Sequence, residues 1–254
     1  MTSPRPIGLP IIPDGVSFAV AIDGPAGAGK SALGAALSAA TGATYIDSGI
    51  AYRAVTWDAL ESGIDLDDDA VLAPRAAALP LAIKPPCDLD GRQLDGRQFT
   101  ATLDGQDVTW ALRSPEVDAA VSRPSALPGV RAAVTDQLRR LAATGRVVMV
   151  GRDIGTVVLP NADLKLWVTA TSTTRADRRV TELHARGVAA DRDAIHAGIV
   201  DRDERDSTRA TAPSRAATDA IVIETDTMTI GEEVATAIVA LAARLAQPGR
   251  GGSP

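Results

Sequence analysis

The chain has 254 residues, of which 45% are apolar, 23% charged and 3% aromatic, enough apolar side chain for one large α/β domain or a core with smaller inserted subdomains. A net charge of -6 and a pI near 5.0 argue against an extended nucleic-acid-binding surface and leave room for local basic sites that take small anions. The single cysteine, Cys87, excludes an internal disulfide and a cysteine-based zinc cluster, and no stretch approaches the ~20 apolar residues of a membrane span or resembles a secretory leader, so a cytoplasmic protein is expected.

Residues 1–14 and 247–254 are rich in Pro, Gly and Ser without an apolar period, which predicts mobile tails. The first strand is predicted over 16–22, where β-branched and apolar residues concentrate. Directly after it, Gly24-Pro25-Ala26-Gly27-Ala28-Gly29-Lys30-Ser31 matches G-x-x-x-x-G-K-[ST]. A helical pattern follows, with Leu33, Ala36, Leu37 and Ala40 on one face and Gly42 as the stop. In that strand, loop and helix context the glycines let backbone N–H groups wrap phosphates, and the helix adds its positive N-terminal end. Lys30 would reach the β and γ phosphates of a nucleoside triphosphate and Ser31 would ligate Mg²⁺. A glycine-rich turn that binds nothing is the bland alternative; a dinucleotide loop is excluded because G-x-G-x-x-G does not fit.

Further strands are predicted over 43–46, 146–150, 164–168 and 220–224, separated by helical patterns, which implies a parallel sheet. Ligands of such sheets sit beyond the carboxyl ends of the strands, where this chain reads Asp23-Gly24, Asp47-Ser48-Gly49 and Gly151-Arg152-Asp153. Residues 81–109 break the rhythm: Asp90-Gly91, Asp95-Gly96 and Asp104-Gly105 are turn signals and Phe99, Ala101 and Leu103 alternate, which predicts a small antiparallel insert. Ser114-Pro115 starts a helix through Val121, and Val130, Val134, Leu138 and Leu141 mark the face of another. Residues 171–209 are helical in pattern and dense in arginine and aspartate.

Three more segments accompany the loop: Tyr45-Ile46-Asp47-Ser48-Gly49-Ile50-Ala51-Tyr52-Arg53, Gly151-Arg152-Asp153-Ile154-Gly155-Thr156-Val157-Val158, and Arg202-Asp203-Glu204-Arg205-Asp206-Ser207-Thr208-Arg209. With them the sequence resembles the bacterial cytidylate kinase family, whose runs D-S-G-x-x-Y-R, G-R-D-I-G-T-V-V and R-D-x-x-D-x-x-R occur here in the family's order, between about 16 and 245. The resemblance implies an α/β P-loop kinase core with a five-stranded parallel sheet and helices on both faces, over 15–47 and 124–246. It further implies a monophosphate-binding subdomain over 48–123 and a short helical lid near 173–205. The family's reaction moves the γ-phosphoryl group of ATP to CMP or dCMP with Mg²⁺ assistance, and a monomer with no nucleic-acid or membrane partner is expected.

Carried over by that resemblance, Arg53, Arg152 and Arg209 clamp the acceptor phosphate beside Ser48 and, with Lys30, form the catalytic cations. Asp153, Ser122 and Arg131 read cytosine, and Arg202 and Asp206 hold the ribose. Other readings of the residues stand beside these. Asp153 at a strand end suits a Mg²⁺ role. The spacing of Arg202, Asp206 and Arg209 suits intrahelical ion pairs, Asp47 suits a helix cap, and Arg175, Arg178 and Arg179 suit either a lid over ATP or a solvated helix face. His184 and His196 have no assigned role, since an ionised phosphate acceptor needs no imidazole. A kinase of another small acceptor, or a nucleotide-binding regulator without turnover, are the competing functions.

Overall fold

The computed structural model describes residues 9–13, 15–84, 86, 97–143, 145–185, 187–208 and 212–247. In chain order its elements are β1 (Phe18–Asp23), α1 (Lys30–Thr41), β2 (Thr44–Asp47), α2 (Ser48–Glu61), α3 (Asp69–Ala78), β3 (Leu81–Lys84), β4 (Thr100–Leu103) and β5 (Gln106–Asp107). Then follow α4 (Pro115–Ala120), α5 (Pro128–Ala142), β6 (Arg146–Val150), β7 (Leu164–Thr169), α6 (Ser172–Ala185), α7 (Arg192–Thr208), β8 (Ile221–Glu224) and α8 (Ile230–Leu245). The strands form a five-stranded parallel sheet of order β2-β6-β1-β7-β8 and a three-stranded antiparallel sheet of order β3-β4-β5. Both sheets fall where the sequence predicts them. Among the described residues no helix is long and apolar enough to cross a membrane.

The chain divides into two compact units, one of residues 1–43 and 148–254, the other of residues 44–147. In the first unit β1 is covered on both faces, which its uninterrupted Val20, Ala21 and Ile22 make possible. Next to it β7 pairs in register Val20 with Leu164 and Asp23 with Trp167, and buries Leu164, Leu166 and Val168. At the edge, β8 buries Ile223 and exposes Val222. α1 ends on Gly42 in the left-handed region, whose N–H reaches the Ser38 carbonyl. α8 begins with a reciprocal cap: Thr229 accepts from the Glu232 N–H, and the Glu232 carboxylate accepts from the Thr229 N–H. Within the stretch whose composition predicts a tail, Ile12 is buried, and residues 9–12 share a small apolar pocket with Ala40, Thr41 and Ile238. The apolar run Leu9 to Ile12 accounts for this; residues 1–8, 14 and 248–254 of the predicted tails lie outside the described residues.

In the second unit Asp47 caps α2 by accepting from the Gly49 N–H at 2.9 Å. β3 and β4 pair antiparallel, Leu81 with Leu103 and Lys84 with Thr100. The β4–β5 turn places Asp104 at φ 49° and Gly105 at φ 78°, the two positive values a two-residue hairpin loop of this type requires. The turn signals at Asp90-Gly91 and Asp95-Gly96, and Cys87, lie outside the described residues. Ser114 caps α4 with Pro115 in its first turn, and α5 buries Val130, Val134 and Leu138 as its periodicity predicts. α3 has no counterpart in the sequence reading, because Pro74 sits inside it and proline normally ends a helical pattern. Burial of Leu72 and Ala76, and packing of α3 on α5, compensate for the lost backbone bond.

Candidate active site

The phosphate loop leaves β1 at Asp23 and enters α1 at Lys30. Gly24 has φ 147°, and a Cβ there would lie 1.9 Å from the Val168 carbonyl oxygen, so no other residue fits where the loop crosses β7. Lys30 Nζ donates to the Pro25 carbonyl at 2.7 Å across the loop. Thr225, just past β8, donates to the Ala28 carbonyl at 3.0 Å and accepts from Arg178 at 2.9 Å. A cavity of about 260 Å³ opens over the loop, lined among others by Lys30, Ser31, Arg178, Arg179 and Glu182. Its cations and the backbone at the start of α1 suit a polyphosphate.

Of the three arginines at the start of the predicted lid, Arg178 and Arg179 are exposed and line that cavity. Arg175 is buried, which rules out the solvated-face reading for it. Its guanidinium donates to the carbonyls of Ala170 and Ala26, each at 3.1 Å, and forks onto Asp203 at 3.1 and 2.5 Å. The phosphate loop, α6 and α7 are thereby tied together. No periodicity signals this, because α6 buries Arg175 beside Ala176 on an otherwise polar helix.

The turn after β6 carries Arg152 and Asp153. Gly151 N–H bonds to the Ile22 carbonyl at 2.9 Å, and the Ile154 and Gly155 N–H groups donate to the Asp23 carboxylate at 2.8 and 2.7 Å. A π-helical turn over Ile154–Val158 follows. Asp153 is buried, and its carbonyl accepts from Val157 at 2.8 Å. Arg152 is paired with Asp206 of α7, and Arg202 stands 3.9 Å from the same carboxylate oxygen. Burial raises the Asp23 carboxyl from its ordinary 3.8 to about 6; the amides of Gly155 and Ile154 oppose the rise, the neighbouring Asp153 adds to it, and Lys30 opposes it.

In the second unit, Ser48 is buried at the start of α2, and Arg53 on the same helix donates to the Leu112 carbonyl at 3.1 Å and pairs with Asp118 at 2.5 Å. Arg131 in the first turn of α5 is buried, donates to the Ser125 carbonyl at 3.1 Å and stands 5.6 Å from the Tyr52 ring centroid. Ser122 is exposed, its carbonyl accepting from Ser125 Oγ at 3.2 Å. Arg209 lies outside the described residues. Three carboxylates that the sequence singled out only as a strand end or a motif letter, or not at all, hold arginines or backbone here: Asp23, Asp118 and Asp203. Among the described residues no cluster of three or more His, Cys, Asp or Glu could hold a metal. Ser31, exposed beside the cavity, offers a hard oxygen of the kind Mg²⁺ takes alongside phosphate oxygens and water.

Fold and loop define a nucleotide-binding protein of the P-loop class. The profile of the cytidylate kinase family matches residues 20–244. The cytidylate kinase of Chloroflexus aggregans is 46% identical over 216 residues, 85% of this chain and 90% of that protein. That of Pelotomaculum thermopropionicum is 44% identical over 221 residues, 87% and 94% of the two chains. The bifunctional pantoate ligase/cytidylate kinase of Synechococcus elongatus is 44% identical over 222 residues, 87% of this chain and 41% of that longer protein. The chain belongs to the cytidylate kinase family.

Proposed function

We propose that this protein transfers the γ-phosphoryl group of ATP to CMP or dCMP, giving ADP and CDP or dCDP. An acceptor phosphate oxygen forms the new bond to the γ-phosphorus as the bond to the β–γ bridging oxygen breaks and ADP leaves. Such chemistry asks the protein for positioning and charge neutralisation. Lys30 and the loop from Gly24 to Ser31 hold the donor phosphates, and Arg53, Arg152 and Arg209 hold the acceptor phosphate beside Ser48. Asp153, Ser122 and Arg131 face the base, and Arg202 and Asp206 the ribose. Mg²⁺, held through Ser31 and phosphate oxygens, supplies charge neutralisation when bound.

The observation that carries this reading is a buried carboxylate, Asp153, next in sequence to an arginine paired with Asp206, in the same unit as the phosphate loop. A carboxylate accepts from the exocyclic amine of cytosine, which uracil lacks. Arg53 and Arg152 are each held by a partly exposed aspartate, an arrangement in which an incoming phosphate can take over the fork.

Purified protein with ATP and Mg²⁺, assayed against CMP, dCMP, UMP, AMP, shikimate and gluconate, tests it. ADP and a cytidine diphosphate are expected with CMP or dCMP. Turnover of another acceptor alone would leave the kinase class and remove the cytidylate assignment. Tight ATP binding without transfer to any acceptor would make the chain a nucleotide-binding regulator.

A further inference from the structure

The turn of residues 151–155 is pinned to β1 at both ends. Gly151 N–H bonds to the Ile22 carbonyl at one end, and at the other the Asp23 carboxylate takes the Ile154 and Gly155 N–H groups, one on each oxygen. Arg152 and Asp153 are the two residues between these anchors. Gly155 sits close to this anchor: a Cβ there would lie 3.4 Å from Asp23 Oδ2, an ordinary contact, and 3.1 Å from the flexible Lys165 side chain. Asp23 itself is 4% exposed, with both carboxylate oxygens taken by backbone amides, and the transfer chemistry gives it no role.

Burying a carboxylate there is costly, and the neighbouring Asp153 charge raises the cost. A neutral side chain of the same shape would be the cheaper filler, but asparagine has one acceptor oxygen and would set its own NH₂ against the second amide. A carboxylate gives each N–H group an oxygen of its own. Asp23 is also the residue immediately before Gly24, so one backbone segment carries the anchor of the turn and the first residue of the phosphate loop.

We infer that Asp23 is a positioning residue for acceptor recognition: its carboxylate holds the Ile154 and Gly155 amides and so fixes where Arg152 and Asp153 present themselves. This rests on the acceptor roles proposed above for those two residues. The hydrogen bonds of the Asp23 carboxylate go to this turn, and its link to the donor side is the charge of Lys30. The charged groups around the carboxylate are Asp153 and Lys30, with Lys165 packed against the neighbouring Gly155. When Asp23 takes up a proton, one amide loses its acceptor and the turn loosens.

The test is steady-state kinetics of Asp23→Asn and Asp23→Glu against the parent enzyme at about pH 8, where the second ionisation of a phosphomonoester is complete. Asp23→Asn is expected to raise the KM for CMP by about tenfold or more, to leave the KM for ATP within about twofold, and to lower the preference for CMP over UMP. Asp23→Glu restores part of the loss. In the double variant Asp23→Asn/Asp153→Ala the selectivity loss is no greater than in Asp153→Ala alone, because the first residue acts through the second. Should the asparagine variant fail to fold, Asp23→Glu decides: it keeps two acceptor oxygens but moves them by one methylene, and is expected to give the same KM split in weaker form. Equal rises in both KM values overturn the inference, as does unchanged selectivity. So does a higher Mg²⁺ requirement with an unchanged KM for CMP, which would make Asp23 part of the metal site. If the parent enzyme phosphorylates a different acceptor, the cytidylate reading fails and the KM split is read on that acceptor instead.

Discussion

Arg152 and Asp153 are neighbours in sequence with opposite surroundings, one partly exposed and paired with Asp206, the other buried. Removing the first takes away charge-assisted hydrogen bonds worth about 1.5–3 kcal/mol each. Arg152→Ala is therefore expected to lower kcat/KM for CMP by roughly 10- to 150-fold. The melting temperature should barely move, since partly exposed ion pairs contribute little to stability. A variant that instead melts far below the parent would make this arginine structural. Asp153→Ala should cost about 1–3 kcal/mol of discrimination between CMP and UMP, roughly five- to 150-fold in the ratio of their kcat/KM values. An unchanged ratio would remove the base-reading role. The motif letters were legible as letters; what holds each side chain was not. Asp118 pairs with Arg53 across 65 positions, and nothing in the local pattern of α4 marks it.

Among the elements, those with complete local signals are found where the sequence predicts them: α1 with its loop and Gly42 stop, α4 with Ser114 and Pro115, and the hairpin turn at Asp104 and Gly105. α5 lacks a side-chain cap of its own at Leu127. Asp69, from the start of α3, supplies it from a distance by accepting from the Gly129 and Val130 N–H groups, each at 2.9 Å. Gly129 is the residue that permits this, since a Cβ there would lie 2.7 Å from the same carboxylate. Asp69→Ala is expected to cost about 0.5–2 kcal/mol, the usual loss on deleting a helix cap. It would be read as a lower urea midpoint with an unchanged denaturant slope. An unshifted midpoint would mean that water replaces the carboxylate. Helix capping by a residue some 60 positions away has no signature in a single sequence, and the proline inside α3 actively disguised that helix.

For the molecule as a whole, Asp23 makes stability depend on pH in a predictable sense. Its carboxyl is raised from 3.8 to about 6, so the folded chain holds this proton more tightly than the unfolded chain does. The corresponding stability is fully present below about pH 3.8 and is lost as pH rises through about 6. Comparing the parent with Asp23→Asn by urea denaturation isolates this group from the other carboxylates. The parent's stability relative to the variant is expected to fall by roughly 3 kcal/mol between about pH 4 and pH 7, and parallel curves would show that Asp23 does not titrate there. By itself the sequence determined the phosphate loop, the parallel α/β plan and the family motifs, because contiguous residues and short spacings encode turn geometry, strand burial and helix phase. Only the tertiary structure decided that Arg175 is a buried tie between the phosphate loop and Asp203, and that Asp23 holds the turn bearing Arg152 and Asp153. These contacts join residues separated by as many as 149 positions. Burial and hydrogen-bond partnership over such spans follow from how the elements pack, which no local period records.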